Sequence, residues 1–129
     1  MLKKYHEKGV ATMGYGSLGA GILTGSIREL PHFEPGDARL GFYDFFVEPK
    51  FSRVMELLEV LDDIALKRQV PVAQVTINWT VQHNFINTSL TGVRNAREAV
   101  ENTAAMAWQL TADEIHKIDQ AVAQLDSLS

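Results

Sequence analysis

A group of glycines directly after a short apolar strand is the part of this sequence best suited to chemistry. Residues 10–13 form the predicted strand, and glycines follow at positions 14, 16, 19, 21 and 25. Glycine adopts positive φ easily and has no Cβ that would keep a ligand away from the main chain. A loop of this kind exposes amide N–H groups that can bind a phosphate or pyrophosphate. The sequence therefore predicts a phosphate-binding loop.

The first three glycines also allow a second interpretation. Gly14-x-Gly16-x-x-Gly19 matches the G-x-G-x-x-G fingerprint of Rossmann-type domains. In such a domain the third glycine lies in the first turns of a helix, and an acidic residue follows about 20 positions later, after the next strand. Here further glycines and Pro31 interrupt the stretch where that helix would lie. A Rossmann-type nucleotide binder is therefore the less favoured alternative.

Alternating helices and strands are predicted to position this loop. Two β-α units with buried, parallel strands indicate an α/β fold. The chain has no obvious internal linker, so we treat residues 1–129 as one unit. In chain order, the pattern predicts a helix over 2–8 closed by Gly9, a strand over 10–13, a loop over 14–48 with one short helix, a helix from Pro49 to about residue 68, a helix from Pro71 to about His83, a strand over 85–90, a helix from about Asn95, and a last helix that starts at the capping box Thr111-x-x-Glu114.

Composition and charge argue against several classes of protein. The chain has 129 residues, 46% of them apolar, which suits one globular domain. A net charge of −4 provides no basic field for nucleic acid. The sequence has no cysteine for a disulfide or a thiolate metal site, no secretory signal and no apolar run long enough to span a membrane. We therefore expect a cytoplasmic protein that binds neither nucleic acid nor membrane, and we assign no metal ligand.

Five groups of short motifs occur in a defined order along the chain. They are YGSLGAGILTG at 15–25, PGDAR at 35–39, IA and VAQVTINW at 64–65 and 72–79, TGVRN and EN at 91–95 and 101–102, and LTADE at 110–114. In this order and spacing they resemble the C-terminal portion of the aldo-keto reductases. That family has a (β/α)8 barrel fold and reduces carbonyl compounds with a nicotinamide cofactor, usually NADPH. The resemblance implies a partial TIM barrel made of the last two β-α units and a C-terminal helix.

The resemblance also implies which residues bind the cofactor. Tyr15 matches the aromatic residue that stacks on the nicotinamide ring at the end of a barrel strand. Arg94 matches a cation for the 2′-phosphate of NADP. Glu98 departs from the Gln or Arg of many relatives, and its carboxylate would repel a 2′-phosphate that it faced, so NAD is the alternative to NADP. The other implied cofactor residues are Gly16, Ser17, Leu18 and Gly19 around the pyrophosphate, Gly92 and Val93 beside Arg94, and Glu101 and Asn102 facing adenine.

No catalytic residue is assigned. The family's Asp, Tyr, Lys and His tetrad lies in the first half of its barrel, and none of the motifs that carry it occurs here. We expect His6, His32, His83 and His116 to be solvated side chains. The resemblance therefore implies a fragment or truncated form of an aldo-keto reductase that is inactive alone, while the full-length protein would act on a small carbonyl substrate.

Two strands make a very incomplete sheet, and this affects the expected partners. We expect exposed apolar surface along residues 10–13 and 85–90 unless another chain or copy covers it. The chain is then expected to form a homo-oligomer or to need the missing part of the barrel. A further alternative is a non-catalytic assembly module that oligomerises without any ligand.

Overall fold

Helices alternate with two short strands in the computed structural model, which describes residues 1–127. The last two residues of the unit predicted over 1–129 lie outside this description. None of the helices in the described part of the chain is long and apolar enough to cross a membrane. The elements are α1 (Leu2–Glu7), β1 (Met13–Gly14), a 3-10 segment (Gly19–Thr24), α2 (Ala38–Phe42), a 3-10 segment (Asp44–Phe46), α3 (Lys50–Arg68), α4 (Val72–Gln82), β2 (Thr88–Ser89), α5 (Ala96–Thr103), a 3-10 segment (Ala104–Ala107) and α6 (Ala112–Asp126).

Capping contacts confirm three of the predicted helix boundaries. Gly9 follows α1 with φ +74°, and its N–H donates to a carbonyl of the last turn at 2.9 Å. At the start of α5, the Asn95 side chain accepts the N–H of Glu98 at 2.9 Å. Thr111 and Glu114 form the predicted capping box, in which each side chain accepts the backbone N–H of the other residue. These contacts join residues only a few positions apart, so local sequence is sufficient to encode them.

The main core lies between α3, α4 and α6. Leu58, Val75 and Ile118 are buried in it, one from each helix. Trp79 and Trp108 are partly buried against the same core. Full burial of an aliphatic side chain stabilises the fold by roughly 1.5–3 kcal/mol. The packed core of these three helices therefore supports the loops that follow the strands.

The long segment between β1 and α3 packs onto α3. Ile22, Phe33 and Phe46 form a second buried cluster there, and the two phenylalanine rings meet edge to face at 5.0 Å. The prediction of one short helix in this segment was incomplete, because two 3-10 segments accompany α2. Each is too short to show a helical period in the sequence. Gly19–Thr24 packs on α4, and Asp44–Phe46 packs on α3.

The two strands pair in parallel, as predicted. Met13 lies opposite Thr88, and Gly14 lies opposite Ser89. The paired region extends over two residues of each strand, which is shorter than predicted. Beyond it, the N–H groups of residues 87 and 88 both donate to the carbonyl of Thr12, at 3.1 and 3.2 Å. This shared acceptor ends the regular ladder on its amino-terminal side.

The expectation that the strands are buried on both faces is wrong for this chain. The side chain of Met13 is 63% exposed, and Val10 and Leu90 are exposed as well. Each strand has one neighbour and therefore keeps an open edge. The exposed apolar surface expected along residues 10–13 and 85–90 is thus present at these three side chains, whereas Phe85 is half-buried.

Candidate functional site

The carboxyl ends of β1 and β2 lie side by side. The N–H of Leu90 donates to the carbonyl of Gly14 at 2.8 Å. Beyond the strands, the hydroxyls of Ser17 and Ser89 are 2.6 Å apart. Parallel strands direct their carboxyl ends to one edge of a sheet, and ligand sites of α/β proteins form at that edge. We call the segments that leave this edge the strand-end face. It comprises residues 15–19 and 90–95.

The first segment of the strand-end face has a backbone with free donors. Gly16 adopts φ +74°, a conformation that favours glycine, and the position of its absent Cβ has no atom within 4 Å. The N–H of Gly19 closes the turn by donating to the carbonyl of Gly16 at 2.8 Å. Among the described parts of the chain, the amide N–H groups of Gly16, Ser17 and Leu18 have no acceptor. These three adjacent donors can bind an anionic oxygen.

Tyr15 lies beside these donors and is directed away from the core. Its side chain is 88% exposed, although it directly follows a strand. A free phenol ring offers a face on which a planar heterocycle can stack. Ring and amides together suit a ligand that combines an aromatic ring with a phosphate, and a nicotinamide dinucleotide is such a ligand.

Three residues that the sequence analysis missed hold the rest of the glycine segment in place. Arg28 donates its Nε–H to the carbonyl of Gly25 at 2.6 Å and its two terminal nitrogens to the carboxylate of Asp62 at 2.6 and 2.8 Å. Thr76 donates its hydroxyl to the carbonyl of Leu23 at 3.0 Å. Asp62 belongs to α3 and Thr76 to α4, and the bonds join residues 34 and 53 positions apart. No local pattern could reveal such partners.

Arg94, in the second segment of the strand-end face, is paired with Glu98. The carboxylate of Glu98 accepts the backbone N–H of Arg94 at 2.8 Å, its Nε–H at 3.0 Å and its Nη2–H at 2.7 Å. The side-chain bonds from Arg94, followed by its backbone N–H, lower the pKa of Glu98, and the same contact raises the pKa of Arg94. Both side chains are therefore charged at neutral pH, and the carboxylate of Glu98 faces Arg94.

The remaining predicted cofactor residues on this side lie in the loop before α5 and on α5 itself. Gly92 and Val93 are exposed in the loop. Glu101 and Asn102 are half-buried on the helix. Glu101 accepts a hydrogen bond from Nε of Arg97 at 2.8 Å.

Along the chain, the predicted cofactor residues form two groups, one after each strand. Residues 15–19 reach β2 through the hydroxyls of Ser17 and Ser89. In the described part of the chain, no hydrogen bond or ion pair joins residues 15–19 directly to residues 92–102. A ligand that contacts both groups must therefore span the distance between them.

The histidines lie outside the strand-end face. His83 is half-buried, with Nδ1 at 2.7 Å from the carbonyl of Trp79 and Nε2 at 3.5 Å from the carboxylate of Asp119. The expectation of a solvated side chain is therefore wrong for His83, because Trp79, Phe85 and Asp119 contact its ring. The three other histidines are exposed. Among the side chains that the structure describes, no three from His, Asp or Glu are grouped so that they could hold a metal ion.

Comparison with known proteins gives independent information on this arrangement. A family model described as "Aldo/keto reductase family" matches residues 1–123. Curated relatives include aldo-keto reductase str7 of Strobilurus tenacellus, 28% identical over 115 residues, and the chloroplastic pyridoxal reductase of Arabidopsis thaliana, 33% identical over 119 residues. Each alignment covers 89% of this chain but only 34% and 29% of the two relatives. The chain thus spans well under half of the length of the curated relatives that it matches.

A solved structure has the same fold over nearly the whole chain. The structure of the glycerol dehydrogenase AKR11B4 from Gluconobacter oxydans matches with a TM-score of 0.84 and 22% sequence identity. The match covers 96% of this chain and 37% of that one. At this level of identity the similarity concerns the fold.

Proposed function

The chain belongs to the aldo/keto reductase family of oxidoreductases, and on that premise we propose that it carries part of the cofactor site of an NAD(P)H-dependent carbonyl reductase. The observation that carries the proposal is the strand-end face. There, three free backbone amides lie next to the exposed ring of Tyr15, at the carboxyl end of a parallel strand. In barrel enzymes the active site is built at this end of the strands.

In this proposal the two groups of predicted residues bind opposite ends of one extended dinucleotide. Tyr15 stacks on the nicotinamide ring, which supplies the hydride for carbonyl reduction when the cofactor is bound. NADP is the cofactor that the family resemblance favours, with NAD as the alternative. The other contacts are to the pyrophosphate from Gly16, Ser17, Leu18 and Gly19, to the adenosine phosphate from Gly92, Val93 and Arg94, and to adenine from Glu101 and Asn102.

We further propose that the chain forms the last two β-α units of a (β/α)8 barrel and that the catalytic residues lie outside it. The open apolar surface at Val10, Met13 and Leu90 supports this, because parallel strands are normally covered on both faces. The rest of the barrel, or a second copy of the chain, would cover this surface. The 129-residue chain alone is then inactive toward small carbonyl substrates.

Titration of the chain with NADPH, followed by energy transfer from tryptophan to the reduced nicotinamide, tests the cofactor site. We expect saturable binding that weakens at least about fivefold in Tyr15→Ala, because stacking on an aromatic side chain contributes about 1–3 kcal/mol. Tyr5→Ala is the matched control, since Tyr5 is an exposed tyrosine on α1, outside the proposed site. Absence of saturable binding, or an equal effect of both substitutions, would contradict the proposal.

Two measurements test the proposed incompleteness of the chain. With NADPH and a test aldehyde, the purified chain should show no turnover above background, and reproducible turnover would overturn the claim of inactivity. In sedimentation velocity, the open strand surface should lead to self-association. A compact, stable monomer would contradict both the homo-oligomer and the alternative of an assembly module, and would leave the missing part of the barrel as the partner.

The segment after Gly19 does not support the Rossmann alternative. Gly19–Thr24 is a short 3-10 segment in which Ala20 and Gly21 have positive φ. A Rossmann turn needs a regular α-helix whose first amides point at the pyrophosphate. The barrel interpretation and the Rossmann interpretation predict different results for Asn102→Ala. The substitution should weaken NADPH binding if the cofactor binds in the barrel site, and it should leave NADPH binding unchanged if the cofactor binds in a Rossmann turn.

A further inference from the structure

We propose that two copies of this chain form a dimer through α5, with the two helices packed antiparallel about a twofold axis. The contact surface is the side of α5 formed by Ala96, Val100 and Thr103, which we call the α5 face. This dimer goes beyond the proposed function, because it needs no bound cofactor and no other part of a barrel.

The α5 helix directs its less polar side toward solvent. Ala96, Val100 and Thr103 follow one another at spacings of four and three residues, which places them on one face of the helix. All three are exposed, and Val100 is 70% exposed. Glu98 and Asn102 lie on the opposite face and are half-buried. A helix at the surface of a globular protein normally has the reverse arrangement, so the α5 face is left uncovered.

Exposed apolar side chains continue on both sides of α5 along the chain. Met106, three residues beyond Thr103, is 65% exposed, and Leu90 and Val93 lie exposed between β2 and α5. None of the residues of α5, all of which the structure describes, is buried. Exposed apolar surface of this kind marks sites at which proteins associate.

The charges beside the α5 face fit a second copy of the same helix. Arg97 and Glu101 each follow a residue of the face by one position, so they lie along one flank of it. They are joined at 2.8 Å, and Arg97 is 87% exposed. In an isologous contact the same surface of both copies meets, and residue pairs form twice. In an antiparallel pair of helices, Arg97 of one copy therefore lies near Glu101 of the other. A partner of uniform charge would match only one of these two residues.

The size of α5 limits the strength of the dimer. The helix has eight residues, and at 1.5 Å per residue it is about 12 Å long. Interfaces at the small end of the size range form weak complexes, so we expect a dissociation constant of about 10–100 µM.

Sedimentation velocity at chain concentrations from about 1 to 500 µM, which bracket this dissociation constant, tests the dimer. The unaltered chain should change from monomer to dimer as its concentration rises. Val100→Asp should abolish the dimer over this range, because the new carboxylate would be buried without a partner. Leu66→Asp is the matched control, since Leu66 is 80% exposed on α3 and lies outside the α5 face. A monomer at every concentration, or a dimer that Val100→Asp leaves intact, would overturn the proposal.

Exchange of the flanking charges tests the antiparallel arrangement. Arg97→Glu gives both flanks only acidic groups, and Glu101→Arg gives both flanks only basic groups, so each variant alone should dimerise at least about fivefold more weakly. An equimolar mixture of the two variants should dimerise again, because acidic and basic flanks then face each other. The pair within each helix stays disrupted in the mixture, so recovery reports the contact between copies. A mixture that associates no better than either variant alone would overturn the proposed pairing, provided that circular dichroism shows the helices retained.

Discussion

Replacing the buried amide Asn78 by leucine should destabilise the chain, although leucine is the more apolar residue. Asn78 is 2% exposed on α4. Its Nδ2 donates to the carbonyls of Ala105 at 2.8 Å and Trp108 at 2.7 Å, and its Oδ1 accepts the N–H of Leu110 at 3.1 Å. One side chain therefore satisfies three backbone groups in the turn between α5 and α6. Leucine has a similar size but can satisfy none of them.

The magnitude follows from these three contacts. A buried polar group that loses its partner costs about 1–3 kcal/mol, so three such groups cost about 6 kcal/mol, and burial of a leucine side chain returns about 1.5–3 kcal/mol. We therefore expect the free energy of unfolding to fall by about 3 kcal/mol. Unfolding entropy averages about 2.1 cal/mol/K per residue, so for a chain of 129 residues this corresponds to a decrease in Tm of roughly 10 °C.

Urea unfolding followed by circular dichroism measures this loss. Asn84→Leu is the matched control, because Asn84 is exposed and the same substitution leaves no buried group unpaired. We expect the control to change the free energy of unfolding by less than about 0.5 kcal/mol. If Asn78→Leu lost no more than the control, Asn78 would not be the link that holds this turn.

Other contacts lead to smaller, separable effects. Thr111→Ala should lower the free energy of unfolding by about 1 kcal/mol in the same urea assay, because it removes the cap of α6; unchanged stability would exclude that role. The hydrogen bond from Arg68 lowers the pKa of Glu114. The stabilisation by this bond is therefore fully present above the unfolded-state pKa of about 4.3, and it is lost as the pH falls through the lower pKa of the folded state. Arg68→Gln should therefore weaken the dependence of urea unfolding on pH in this acidic range, and an unaltered pH profile would argue against the pair. Ser17→Ala removes the hydroxyl contact with Ser89 and should weaken NADPH binding several-fold without changing stability, whereas unaltered binding would show that this contact does not position the loop.

Residue spacing within a helix was a reliable guide wherever a few neighbouring residues decide the structure. The apolar period that predicts a helix from Pro49 to about residue 68 corresponds to α3 at Lys50–Arg68. The turn at Gly9 and the capping box of α6 were likewise predicted correctly. The i,i+4 spacing of Arg97 and Glu101 on α5 could have predicted their pairing too, since such pairs are neighbours on a helix surface.

The sequence was a poor guide where a residue's environment comes from distant segments. Asn78 stands within the apolar stripe predicted for α4, and nothing nearby in sequence shows that it binds the turn after α5. The strands were predicted too long and too buried, because their burial depends on neighbours that residues 1–127 do not provide. The two 3-10 segments before α3 could not be predicted from a helical period for a related reason, since they form against a surface.

The glycine segment shows what the sequence determines and what only the tertiary structure determines. By itself, the sequence determined that a glycine-rich turn follows a strand, because positive φ and the absence of a Cβ are properties of single residues. Only the tertiary structure decided what this turn can do. Once α3 and α4 have packed, Asp62 of α3 binds Arg28, and Thr76 of α4 binds the carbonyl of Leu23. Strand pairing likewise places Ser89 next to Ser17. These contacts join residues tens of positions apart, so they exist only once the helices have packed, and they hold the free amides beside Tyr15.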